Sequence, residues 1–176
     1  MQMNDHDSNS LHLHYSPTAK DSIGYYGELL REENIKLHTM QYNRLLKRWN
    51  MEDAQANAYL KVNLGAAENS NDWDLAARIG FSADYETRRI FFSYENKYTD
   101  AGSFDAFNQT TRIGFAPYEA GYEDLNTWLM LQVNHDPEKR DNIVVTPLVR
   151  MFYGEYLWEV GYSDNDQILF NWIARF

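Results

Sequence analysis

The sequence predicts an all-β fold, an antiparallel up-and-down transmembrane β-barrel of about 10–12 strands. Three observations carry this. Apolar residues recur with a period of two along nearly the whole chain, the opposite face carries small residues and isolated charges, and the last residues alternate and end on an aromatic.

The alternation is clearest near the C-terminus. Ile168, Phe170, Trp172, Ala174 and Phe176 face away from Leu169, Asn171, Ile173 and Arg175, and Tyr156, Trp158, Val160 and Tyr162 face away from Leu157, Glu159, Gly161 and Ser163. The same rhythm runs backward through Leu125–Val133, Phe107–Phe115, Ile90–Tyr94, Trp73–Phe81, Ala58–Leu64, Ile23–Leu29 and Leu11–Tyr15. Two segments are less regular. Residues 35–49 change phase near Met40, which suggests a bulge or a helix. Residues 143–152 contain Pro147, which cannot donate to a ladder. Both lie inside a regular series and read as strands. This gives strands at 166–176, 155–163, 142–152, 124–134, 106–116, 88–97, 72–82, 56–66, 35–49, 22–30 and 10–15, joined by short polar linkers in a meander of hairpins. The chain is read as one barrel domain over 1–176, with 1–9 a loop or the remnant of a truncated first strand.

Composition narrows the function classes. Sixteen Lys+Arg stand against 26 Asp+Glu, a net charge of −10, which argues against a nucleic-acid partner. The chain has no cysteine, so disulfides and thiolate metal sites are excluded. Its 13 Tyr, 9 Phe and 5 Trp are foreign to a disordered acidic chain. No run of about 18 apolar residues is present, and residues after Met1 carry no secretory signal pattern.

A soluble barrel also alternates, but its outer face is densely charged. Here the non-apolar face has about one charge per strand, Glu28, Lys61, Arg78, Arg89, Glu95, Arg112, Arg150, Glu159 and Arg175, mixed with Gly, Ala, Asn and Ser. Such a pattern suits a narrow polar lumen in which arginines meet glutamates. The expectation is a lumen charge network, with Arg78, Arg112, Arg150 and Arg175 meeting Glu28, Glu95 or Glu159. The apolar face is almost free of charge and ends in aromatics, as at membrane interfaces.

The chain ends Ile-Leu-Phe-Asn-Trp-Ile-Ala-Arg-Phe. Phe170, Trp172 and the terminal Phe176 resemble the closing strand of the bacterial outer-membrane β-barrel superfamily. That resemblance implies a porin-like protein of the Gram-negative cell envelope, placed in the outer membrane, with outer-membrane lipid and the barrel-assembly machinery as partners and these three aromatics as the assembly signal. It covers about ten residues in detail, and the strand rhythm extends it. No characterised subfamily is matched; the His-x-Ser arrangement of lipid A deacylase barrels is missing.

Candidate chemistry is thin. His12 and His14 share one face at a spacing of two and could ligate a metal with His38, but polar lumen residues are the plainer reading, so neither metal nor cofactor is expected. Serines are available, yet none sits in a nucleophile motif. Lys47 and Arg48 beside Trp49 mark a membrane edge. The function read from the sequence is a monomeric, non-enzymatic outer-membrane barrel, structural or adhesive, or a narrow channel with a packed charged lumen. The alternatives are a membrane-embedded envelope enzyme and a soluble periplasmic barrel holding a small apolar ligand.

Eleven strands are odd, whereas single-chain bacterial barrels are normally even. The sequence therefore leads us to expect a further strand before residue 10, with Met1–Met3 as its end and a natural N-terminus lying upstream. The competing account is a ten-stranded barrel with 1–20 as a plug. Removal of Phe176 is expected to lower outer-membrane levels while strand content after refolding in detergent, read by circular dichroism, stays unchanged. Undiminished membrane levels would remove the assembly role.

Overall fold

A computed structural model describes residues 1–176 except His6, Asn71, Tyr122, residues 139–141 and Phe176. The expectation for Phe176 therefore lies outside the described residues. The chain forms twelve strands and, among the described residues, no helix: β1 (Gln2–Asn4), β2 (Ser8–Tyr15), β3 (Asp21–Leu30), β4 (Ile35–Asn50), β5 (Ala54–Asn69), β6 (Asp72–Thr87), β7 (Ile90–Ala101), β8 (Phe104–Phe115), β9 (Asn126–His135), β10 (Ile143–Tyr153), β11 (Tyr156–Tyr162) and β12 (Ile168–Ala174). Each strand pairs antiparallel with its sequence neighbours, and β1 pairs with β12, so the sheet closes as an up-and-down barrel.

Closure at twelve strands removes the ten-stranded account, and residues 1–9 are not simply a loop. Gln2 stands opposite both Trp172 of β12 and Leu11 of β2, Asn4 opposite Phe170 and Asn9, and β2 already begins at Ser8. The seam is short, three residues on each side of β1. Met1 adds two backbone bonds to His12.

Strand phase follows the period-two pattern, because a one-residue slip would exchange the two faces. β4, β5 and β6 outrun their predicted lengths, with 16 residues each, while β11 and β12, with seven each, fall short of theirs. Turns at one rim, called upper here, use the left-handed backbone at Asn34, Ser70, Gly102 and Asp166. The lower rim carries the turn at Gly154 and the end of β12.

The bulge lies elsewhere than expected. The β4–β5 register shifts between Leu45 and Lys47, at Leu46, not near Met40. Ile35 and Leu37 point into the barrel and Met40 and Tyr42 point out, so the apolar residues change sides without any change in strand phase. The inward pair belongs to a small apolar cluster near the upper rim, with Leu30, Ala67, Ala76, Ala101 and Phe104. A second inner cluster, Ala116, Trp128, Met130, Leu148 and Leu169 with Phe91 and Phe152, lines β7–β10 and β12. Pro147 is accommodated because it stands where the ladder to β11 stops, one residue before Leu148 meets Gly161, while β9 continues to pair on the other side.

The two faces are inverted relative to a water-soluble barrel. Leu75 is 70% exposed and Ile168 67%, with Leu13, Leu64, Ile79, Ile113 and Leu129 also outside, while Glu28, Thr39, Asn63, Gln132, Glu159 and Asn171 are buried within. On β6 the outer face runs from Trp73 to Tyr85 through Leu75, Ala77, Ile79, Phe81 and Ala83. At about 3.3 Å per residue this spans about 40 Å along the strand, or about 28 Å at a tilt of about 45°.

Gly65 packs against β4 so closely that a Cβ would lie 2.1 Å from the carbonyl oxygen of His38 and 2.7 Å from Cα of Thr39. Gly65→Ala is expected to destabilise the barrel by about 1–3 kcal/mol, seen as a lower midpoint in denaturant titration in detergent. An unchanged midpoint would mean that the two strands separate freely.

Candidate functional site: the ion-paired lumen

The inward charges come from the strand positions that alternate with the outer apolar row. Glu159 of β11 is deeply enclosed, 2% exposed. It accepts hydrogen bonds from Nε of Arg150 at 2.6 Å, from a terminal guanidinium nitrogen of Arg112 at 3.2 Å and from the amide of Asn171 at 2.6 Å. One carboxylate thus ties β8, β10 and β12 to β11. Arg112 also donates to Gln132 at 2.6 Å, and Arg150 lies over the Phe91 ring, 4.8 Å from its centroid.

A second group sits toward the upper rim. Arg78 of β6 donates to Glu28 of β3 at 2.5 Å and to the Thr99 hydroxyl at 2.7 Å, and it lies 5.1 Å from the Tyr26 ring centroid. The Lys97 ammonium approaches the same carboxylate at 3.8 Å. Lys61 of β5 pairs with Glu95 of β7 at 2.6 Å and is more open to the interior. Between these groups lies a cavity of about 340 Å³, bordered by Lys61, Glu95, Arg78, Asn63 and His12.

Seven of the nine expected lumen charges therefore meet one another: Glu28 with Arg78, Lys61 with Glu95, and Arg112 and Arg150 on the shared carboxylate of Glu159. The other two do not. Arg89 bonds the backbone carbonyls of Ala116 and Pro117 at 3.1 Å each, at the lower rim. Arg175 follows the last residue of β12, is exposed, and borders a rim pocket with Glu86 and Glu155. Both stand where the ladder ends, so neither reaches the interior carboxylates. Lys97 was missed, although it keeps the phase of Glu95, because the predicted strand stopped there.

His12 and His14 do share the inner face, their rings 5.9 Å apart, and His12 Nε2 shares a 2.8 Å hydrogen bond with the Ser10 hydroxyl. His38 is elsewhere: it lies on the outer face, its Nδ1 2.7 Å from the Tyr25 hydroxyl and its ring 5.9 Å from that of Trp73. Residue 38 has the parity opposite to Leu37 and Thr39, which face inward. The three histidines cannot form one metal site, and among the described residues no group of three metal-ligating side chains is present. Arg48, expected at the lipid edge, turns to Asn57 at 2.7 Å, which in turn donates to Asp84, while Lys47 lies over the Trp49 ring at 4.9 Å. Phe170 and Trp172, expected as part of the assembly signal, are outward residues of β12 beside the seam. Compared with protein-family models, curated proteins and solved structures, the chain matches none.

Glu159→Gln leaves two guanidinium groups facing each other without their shared carboxylate. The expected loss is about 3 kcal/mol or more, whereas Lys36→Met, which opens the exposed Lys36–Glu68 pair, costs under about 1 kcal/mol. Denaturant titration of both variants in one detergent checks this, and equal effects would remove the central role of Glu159.

Proposed function

We propose that this chain is a small bacterial outer-membrane β-barrel protein, non-enzymatic, whose lumen is closed by its own ion pairs and which serves a structural or adhesive role. The observation that carries this reading is the inversion of faces. Large apolar side chains cover the outside of a closed sheet, while carboxylates and guanidinium groups are buried inside. In water that arrangement is costly, since exposed apolar area on this scale drives association. In hydrocarbon it is what a closed sheet requires, because every backbone group must be satisfied within the barrel. The aromatics that bracket the outer row of β6 fit the two interfaces.

The closed lumen is supported by the Glu159 and Glu28 groups, which cross the interior from several strands. A narrow channel is the second reading, favoured by the cavity of about 340 Å³ between them. In either case the barrel-assembly machinery and membrane lipid are the proposed partners.

The protein is expected to need detergent to stay dispersed and to insert into vesicles of bacterial lipid. In planar bilayers the wild type is expected to pass little steady current, and the Arg112→Ala/Arg150→Ala pair to raise it. Full dispersion in buffer alone would refute membrane residence. A large, steady wild-type conductance would refute the closed lumen and favour the channel.

A further inference from the structure

The outer wall is apolar over most of its area; apart from the rims, the Arg44–Asp21 pair of β3 and β4 and His38 beside Tyr25, its polar residues gather on β7 and β8. On β7 and β8 the outward register pairs run, from the upper rim down, Tyr98 with Phe107, Asn96 with Gln109, Tyr94 with Thr111, Phe92 with Ile113 and Ile90 with Phe115. The middle two pairs form a polar island. Phe81 stands beside Asn96 on β6, and Val133 beside Thr111 on β9. Phe81, Phe92, Tyr98 and Ile113 are all exposed, so apolar side chains border the island above, below and toward β6 on the side that the membrane reading turns to lipid, while toward β9 it meets Val133 and His135.

The island is organised. The Tyr94 hydroxyl donates to Oε1 of Gln109 at 2.8 Å and accepts from the Asn96 amide at 3.4 Å, and the Gln109 amide donates to Nδ1 of His135 at 3.1 Å. Each amide nitrogen carries a second hydrogen that these bonds leave unused, and imidazole has a second nitrogen. Lipid chains offer nothing to such groups. A polar group that hydrocarbon surrounds seeks a partner across a protein interface.

We infer that this face of β7–β9 is where two copies of the chain associate, back to back, through the amides of Asn96 and Gln109. The inference rests on the membrane reading above and departs from the monomer that the sequence leads one to expect. A second copy fits because an amide carries donor and acceptor together. The same patch then complements itself across a two-fold axis, as an isologous interface requires. The flanking Phe92 and Ile113, and Phe81 and Ile79, supply apolar packing on both sides of the hydrogen-bonded centre.

The chain has no cysteine, so a single introduced one reports cleanly. Sedimentation in density-matched detergent should give a dimer for the wild type, and association of the Asn96→Leu/Gln109→Leu variant should weaken by at least about tenfold. Thr111→Cys should cross-link copies in vesicles, while Leu13→Cys, an outward residue of β2 on the opposite wall, should not. The leucine variant should keep the strand content and inserted fraction of the wild type, which separates a lost interface from a lost fold. A wild type that inserts but sediments as a monomer, and whose Thr111→Cys form does not cross-link, overturns the inference and leaves the membrane reading standing. A monomer that retains a lipid in native mass spectrometry, lost in the leucine variant, overturns it in favour of a lipid contact. A wild type dispersed without detergent overturns the membrane reading, and the inference with it.

Discussion

A single carboxylate beneath two guanidinium groups is the interaction on which the rest of the barrel depends. Glu159 meets Arg112, Arg150 and Asn171, so one side chain joins four strands on one side of the lumen. Glu28, Arg78 and Lys97 do the same for β3, β6 and β7. A closed sheet leaves interior charges no retreat to bulk solvent, and a buried ion is tolerated only with its partner in place. The ion pairs therefore fix which strands must face one another across the interior. The small residues around them, Gly65, Ala67, Ala76 and Ala101, keep the rest of the space narrow.

Much of this was legible in the sequence because the period of two leaves little freedom. Once the apolar row of β6 is recognised, Arg78 has to lie on the other face, and the same holds for Glu28, Arg112 and Glu159. The strand ends were harder to read. Lys97 keeps the inward phase but falls at the edge of the predicted strand, and Arg89 and Arg175 keep it where no ladder remains to hold them across the lumen. Sequence alternation records which face a residue is on, and not how far along the barrel axis it lies.

Inward apolar residues caused the other misreading. The apolar pattern of β4 slips at Met40 because Ile35 and Leu37 close the interior near the upper rim, while Met40 and Tyr42 serve the outside. An interior that is charged at mid-height and apolar near a rim mixes two signals on one strand. The true irregularity, at Leu46, follows a second leucine, so the pair reads alike in either phase and leaves no mark. Likewise β1 is too short for any periodicity to announce it, and only its two partners, β2 and β12, give it meaning.

The unequal strands give the barrel a slanted profile. The wall of β4–β6 is 16 residues long and that of β11 and β12 seven, or about 53 Å against about 23 Å along the strands at about 3.3 Å per residue. A bilayer surrounding such a body would meet a tall wall on one side and a short one on the other. Its lipids would have to compress beside β11 and β12, or the whole molecule would lean, each at a fraction of a kcal/mol per ångström of mismatch. The barrel would then act on the membrane as a wedge, softening the leaflet along its short side while its tall side stays seated.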